Sequence, residues 1–188
     1  MIIDKRDKDQ LRKILKRCSK GNRKAQEHLY STYYGYAMSI ALRYSGSSID
    51  AEEITNDAFF KVFTKLELHN TEKNFRSWLR RIVINTALDH YRVNKKNKNL
   101  LLLEDIHDNS EVEVHVDNLD AEVIIELLQS LSPMYRIVFN LYIIEGYNHD
   151  EIADKLGITA STSRSNLTRA KHKIRALIKD YQYYEKAR

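Results

Sequence analysis

The chain has 188 residues, with 31 Lys and Arg against 26 Asp and Glu, seven His, five Gly, one Pro and one Cys, and a formal net charge of +5. That length holds one ordinary domain or two small ones, and 43% apolar residues suffice for a core, which excludes disorder throughout. One cysteine excludes an internal disulfide, no Cys and His cluster at zinc spacing, and no run of eighteen apolar residues occurs, so the expectation is a soluble, cytoplasmic chain with no membrane insertion.

So few Gly and Pro leave few breaks, and the apolar residues recur at three and four rather than at two, which predicts an all-α fold. Residues 7–19 put Leu11, Ile14 and Leu15 on one face and Arg12, Lys13, Lys16 and Arg17 around the other, a short basic amphipathic helix. Gly21-Asn22 marks a break. From Arg23 a second helix carries Leu29, Tyr30, Tyr33, Tyr34, Ala37, Ile40 and Ala41 at helical spacing to Tyr44, and Gly46-Ser47-Ser48 closes it. A third opens at Ser48 to Asp50, with Asp50 able to cap and Glu53 three residues on, and buries Ile54, Ala58, Phe59, Val62, Phe63 and Leu66. Its first turns carry Asp50, Glu52, Glu53 and Asp57, acids that complement the helix dipole by roughly 0.3–1 kcal/mol each and can also form a patch.

After a polar loop, a fourth helix aligns Phe75, Trp78, Leu79, Ile82, Val83, Thr86, Ala87 and Tyr91 on one face, with Trp78 read as core. Arg76, Arg80, Arg81, Arg92, Lys95, Lys96 and Lys98 supply cations around it. Basic residues interleaved with rings suit single-stranded nucleic acid, because cations follow phosphates and rings receive unstacked bases.

Charge then changes sign. Residues 1–98 hold 21 Lys and Arg against 11 acids, residues 99–135 none against nine, and residues 136–188 ten against six, or +10, −9 and +4 by segment. This predicts two small helical domains joined by a flexible acidic linker: a basic helix at 1–22, a domain at 23–98, the linker at 99–120 and a second domain at 121–188. The linker reads as a solvated tether, with Leu100 to Leu103 and the alternating Val112, Val114 and Val116 able to dock, and His107 and His115 read as linker residues rather than metal ligands. Beyond it, Leu127, Leu128 and Leu131 end one helix and Ser132-Pro133 starts the next, with Pro at its first position. The run HDEIADKLGITASTSRSNLTRAKHKI then has helix-turn-helix form: Ile152, Ala153 and Leu156 on a supporting helix, Gly157 at the tight turn, Ile158 closing the core. The second helix runs from about Ser161 with Leu167, Ile174 and Leu177 as its seam. Arg164 and Asn166 are its base-reading candidates, alongside Thr162, Ser165, Thr168, Arg169 and Lys171.

Three ordered stretches, DAEEITNDAFFKVF from Asp50, FRSWLRRIVINTALDHYR from Phe75 and LSPMYRIVFNLYIIEGYNHDEIADKLGITASTSRSNLTRAKHKI from Leu131, resemble the bacterial sigma-70 family, in its extracytoplasmic-function group. The resemblance covers about residues 23–98 and 121–180. It implies a region-2-like bundle and a region-4-like helix-turn-helix domain. The implied partners are the largest and second-largest subunits of core RNA polymerase, a single-stranded −10 element and a duplex −35 element of promoter DNA, and, as is usual in the family, an anti-sigma factor. Asp50, Glu53, Asp57 and Phe60 match the surface that docks on polymerase clamp helices. The loop from Leu66 to Asn74 matches the part that captures a flipped base, and Arg80, Arg81, Asn85, Asp89, Arg92, Lys95 and Lys96 fall where the −10 element is read. Thr162, Arg164, Ser165, Asn166, Arg169 and Lys171 fall on the −35 reader. The chain departs from the family at Ser163, often apolar, and Asn166, often a cation, so a −35 preference does not transfer.

The resemblance implies no catalytic residue, cofactor or metal. The sequence contains no GxGxxG, P-loop or HExxH, which speaks against an enzyme. The alternative function is a conventional helix-turn-helix regulator acting without polymerase.

Overall fold

The computed structural model describes residues 5–69, 74–98 and 120–186. Every regular element among them is helical, as the periodicity predicts. The chain forms two compact units, Met1–Ala41 with Ser48–Asp89, and Leu42–Ser47 with His90–Arg188. The acidic linker at 99–119, with its Val alternation and both its histidines, lies outside the described residues.

In the first unit α1 (Lys5–Ser19) is not a loose arm. Leu15 and Cys18 are buried and the helix packs against α3 (Ser48–Lys65) and the 3₁₀ turn Leu66–Leu68 that follows it. Its end is determined by local chemistry. Gly21 takes a positive φ of 75°, so that its N–H reaches the Cys18 carbonyl and the Asn22 N–H reaches that of Arg17, which satisfies two orphan carbonyls. Asn22 then caps α2 (Arg23–Tyr44) by accepting the Ala25 N–H at 3.0 Å, a contact of about 1 kcal/mol.

α2 and α3 meet through small and aromatic residues. Ala37, Ala51 and Ala58 are fully buried, Tyr30 packs its ring on Phe59 at 4.7 Å, and its hydroxyl donates to Asn56 at 2.9 Å. α3 begins at Ser48, so Asp50 lies inside its first turn rather than capping it. α4 (Phe75–Lys98) buries Phe75, Leu79, Val83, Ile84, Ala87 and Leu88, and an ion pair of 3.0 Å joins Lys61 of α3 to Asp89. Trp78, read as core, is only half-buried.

In the second unit α5 (Ala121–Gln129) and α6 (Pro133–Phe139) are joined through Arg136, which is 4% exposed. Its guanidinium donates to the carbonyls of Leu128, Gln129 and Leu131, all at 2.8 Å. A buried charge is tolerated there because the carbonyls at the end of α5 accept its protons and carry the negative end of that helix dipole. α6 continues into a π-helical turn, Asn140–Ile144, closed by the Glu145 N–H on the Asn140 carbonyl. α7 (His149–Leu156) has a reciprocal cap between Asn148 and Glu151 and ends at Gly157 with φ 64°. α8 (Ala160–Lys186) follows and packs against both α6 and α7, as a helix-turn-helix requires.

Candidate functional site

On α3 the four expected contact residues point the same way. Positions 50, 53, 57 and 60 span about 80° of the helix at 100° per residue, and Asp50, Glu53, Asp57 and Phe60 are all exposed. Phe60 is 70% exposed, and Ile49, absent from the sequence-based set, is 78% exposed on the same stripe. A helix dipole explains acids near an N-terminus, but it does not explain two large apolar side chains left in water among them. Such a patch fits a protein partner.

On α4, positions 81, 85, 89 and 92 likewise share about 80°, and Arg81, Asn85, Asp89 and Arg92 are all exposed. Arg80 is half-buried and lies off this stripe. Asp89 is paired with Lys61, and Arg92 donates to the Lys155 carbonyl. The side chains of Lys95 and Lys96 lie outside the described residues. At the start of α4 an aromatic cluster forms that sequence reasoning missed. The ring of His69 lies 4.6 Å from that of Trp78 and meets Phe75 edge-on at 5.7 Å. Burial holds the imidazole below its ordinary pKa, and among the described residues its Nε2 has no hydrogen-bond partner. The neighbouring residues 70–73, part of the expected base-capture loop, lie outside the described residues.

On α8 Thr162, Arg164 and Ser165 are exposed, and Arg169 and Lys171 are half-buried. Thr162, Ser165 and Arg169 line one flank, and Arg164 and Lys171, seven residues apart, line the other. Thr159 caps the helix by accepting the Thr162 N–H at 3.0 Å. Asn166 requires a correction. It is only 7% exposed, buried on the packed side of α8, unlike the exposed Arg164 and Ser165. Ser163 is fully buried, and its hydroxyl meets Nδ1 of His149 at 2.9 Å. The apolar-to-serine departure was visible in the sequence as a signal that a buried polar partner must exist; which residue supplied it was not. Among the described residues no three His, Cys, Asp or Glu side chains converge to hold a metal ion, and no helix is long and apolar enough to cross a membrane.

Residues 29–97 match the family description sigma-70 region 2, and residues 121–174 match sigma-70, region 4. The chain belongs to the sigma-70 family, in its extracytoplasmic-function group. Curated relatives of this sigma factor include the extracytoplasmic-function RNA polymerase sigma factor SigE of Mycolicibacterium smegmatis, 32% identical over 142 residues, 72% of this chain. The chain spans 54% of the length of that relative. Sigma factor SigZ of Bacillus subtilis is 29% identical over 72% of this chain and 78% of its own length, and SigW of the same organism is 24% identical over 90% and 97%. Among solved structures, the sigma factor RpoE of Bartonella quintana, in complex with the anti-sigma factor NepR, matches with 20% identity over 81% of this chain and 96% of that one, at a TM-score of 0.49. In this sigma factor α2 to α4 carry the region 2 segment and α5 to α8 the region 4 segment, and α1 precedes the matched residues.

Proposed function

We propose that this sigma factor is a dissociable initiation subunit that binds core RNA polymerase and directs promoter recognition, promoter melting and the start of transcription. The exposed α3 stripe of Ile49, Asp50, Glu53, Asp57 and Phe60 carries the reading, because a regulator that only bound DNA would have no use for acids and large apolar side chains on an outward face. That stripe docks on the largest subunit. Along α4, Arg81, Asn85, Asp89 and Arg92, continued by Lys95 and Lys96 and flanked by Arg80, follow the single-stranded −10 element. On α8, Thr162, Ser165 and Arg169 on one flank and Arg164 and Lys171 on the other meet the duplex −35 element, and the same unit touches the second-largest subunit. The chain performs no covalent chemistry; capture of an unstacked base offsets an unstacking cost of about a few kcal/mol per step. It acts in the cytoplasm, where polymerase works, and its outward faces are also open to an inhibitory protein of the anti-sigma kind.

The test is co-elution with purified core polymerase of the full chain and of a Glu53→Lys, Asp57→Lys variant. Reversing two charges on a complementary interface is expected to weaken binding about tenfold or more while helicity and −35 duplex binding are retained. A wild-type chain that binds duplex DNA tightly but never co-elutes with core enzyme would instead establish the conventional regulator.

A further inference from the structure

His149 is the first residue of α7, and its imidazole joins three elements. The ring stacks on Tyr142 of the π-helical turn at 4.6 Å and 24°, and its Nδ1 lies 2.9 Å from the hydroxyl of Ser163 on α8. Ser163 is completely buried. Two apolar side chains would fill the same space without the cost of burying polar atoms, so the polar pair must contribute something that apolar packing does not. What a hydrogen bond adds is direction. It weakens steeply when donor and acceptor rotate out of line, so it adds a directional constraint to the apolar packing of Leu167, Ala170 and Ile174. A bond at position 163 therefore restricts rotation of α8 about its own axis, and the exposed Thr162 and Arg164 flank it in sequence, with the exposed Ser165 one position further.

We propose that the hydrogen bond between His149 and Ser163 sets the angular position of α8, and so decides which bases its exposed side chains reach, with His149 a positioning residue whose proton is linked to DNA binding. The proposal rests on α8 being the −35 reader.

The charged groups around the imidazole supply the linkage. Burial disfavours its protonation first; Arg164 and Lys171 of α8 add to that, and Asp150 of α7 opposes it, while the Tyr142 ring of the π-helical turn stacks on it. In the free protein these surroundings together disfavour the protonated imidazole. Phosphates seated against Arg164 and Lys171 cancel their positive field, so the bound form takes up a proton more readily than the free form. Reciprocity then requires duplex affinity to rise as pH falls through the titration of His149.

The experiment measures binding of the full chain, at constant salt and at pH 8 and 6, to a duplex selected by this chain from a random library, to singly substituted versions of that duplex and to a duplex of random sequence. Ser163→Ala should lose about three- to tenfold of the discrimination between correct and substituted duplexes, while binding to random duplex and the pH dependence remain. His149→Asn, whose side-chain amide can take the place of Nδ1, should keep the discrimination and lose the part of the pH dependence that His149 supplies. Circular dichroism checks that both variants fold. Wild-type discrimination in Ser163→Ala, or a wild-type pH dependence in His149→Asn, overturns the proposal alone. A wild-type chain with no preference among any of these duplexes overturns the −35 reading itself, and the proposal with it.

Discussion

Thr86 sits fully buried in α4, and its Oγ1 has no hydrogen-bond partner among the described residues. Threonine fits the apolar stripe by shape, so periodicity placed it correctly, but the hydroxyl has lost water and gained nothing. Thr86→Val keeps the shape and removes the orphan group. It is expected to stabilise the first unit by about 1 kcal/mol, read as a rise of a few degrees in Tm by calorimetry; a fall would mean that the hydroxyl is used in a way its surroundings do not show. Asn166 is the converse case. The seam expected from Leu167, Ile174 and Leu177 left it outside, yet α8 is packed by both α6 and α7, so its buried arc is wider than one partner would make it and takes in Asn166 as well as Ser163. Helical phase alone gives the centre of a buried face, and the width of that face depends on how many neighbours cover it.

Among the elements, α1 changed most in meaning. The sequence set it apart from the domain at 23–98 as a basic amphipathic helix, and in the structure Leu15 and Cys18 bury its apolar face within the first unit. Leu15→Ala should therefore cost about 2–5 kcal/mol, measured by urea unfolding, as for a core leucine; a loss near zero would return α1 to the status of a loose arm. The helix order, the bounds of α2 and the helix-turn-helix with its left-handed Gly157 were all legible, because each follows from local period and turn chemistry. The π-helical turn at Asn140–Ile144 and the Arg136 clamp were not. Both depend on where backbone carbonyls from another segment fall, and residue type does not encode that. The His69 ring against Trp78 was missed for the same reason: a histidine in a polar loop gives no sign of the aromatic partners that tertiary packing brings to it.

For the whole molecule, the modest charge of +5 resolves into segments of +10, −9 and +4; the region 2 match lies within the first, and the region 4 match begins in the acidic segment and runs into the last. The long-range field of such a chain favours nucleic acid at both ends and not between them. What charge could not supply was an apolar surface, and α3 supplies one by leaving Ile49 and Phe60 in water beside three acids. The most direct measurement is transcription in vitro from genomic fragments by purified core polymerase with and without this chain, with mapping of every start site. The account predicts starts that appear only with the chain and share one −10 and one −35 element at fixed spacing; a set of starts identical with and without it would contradict the account.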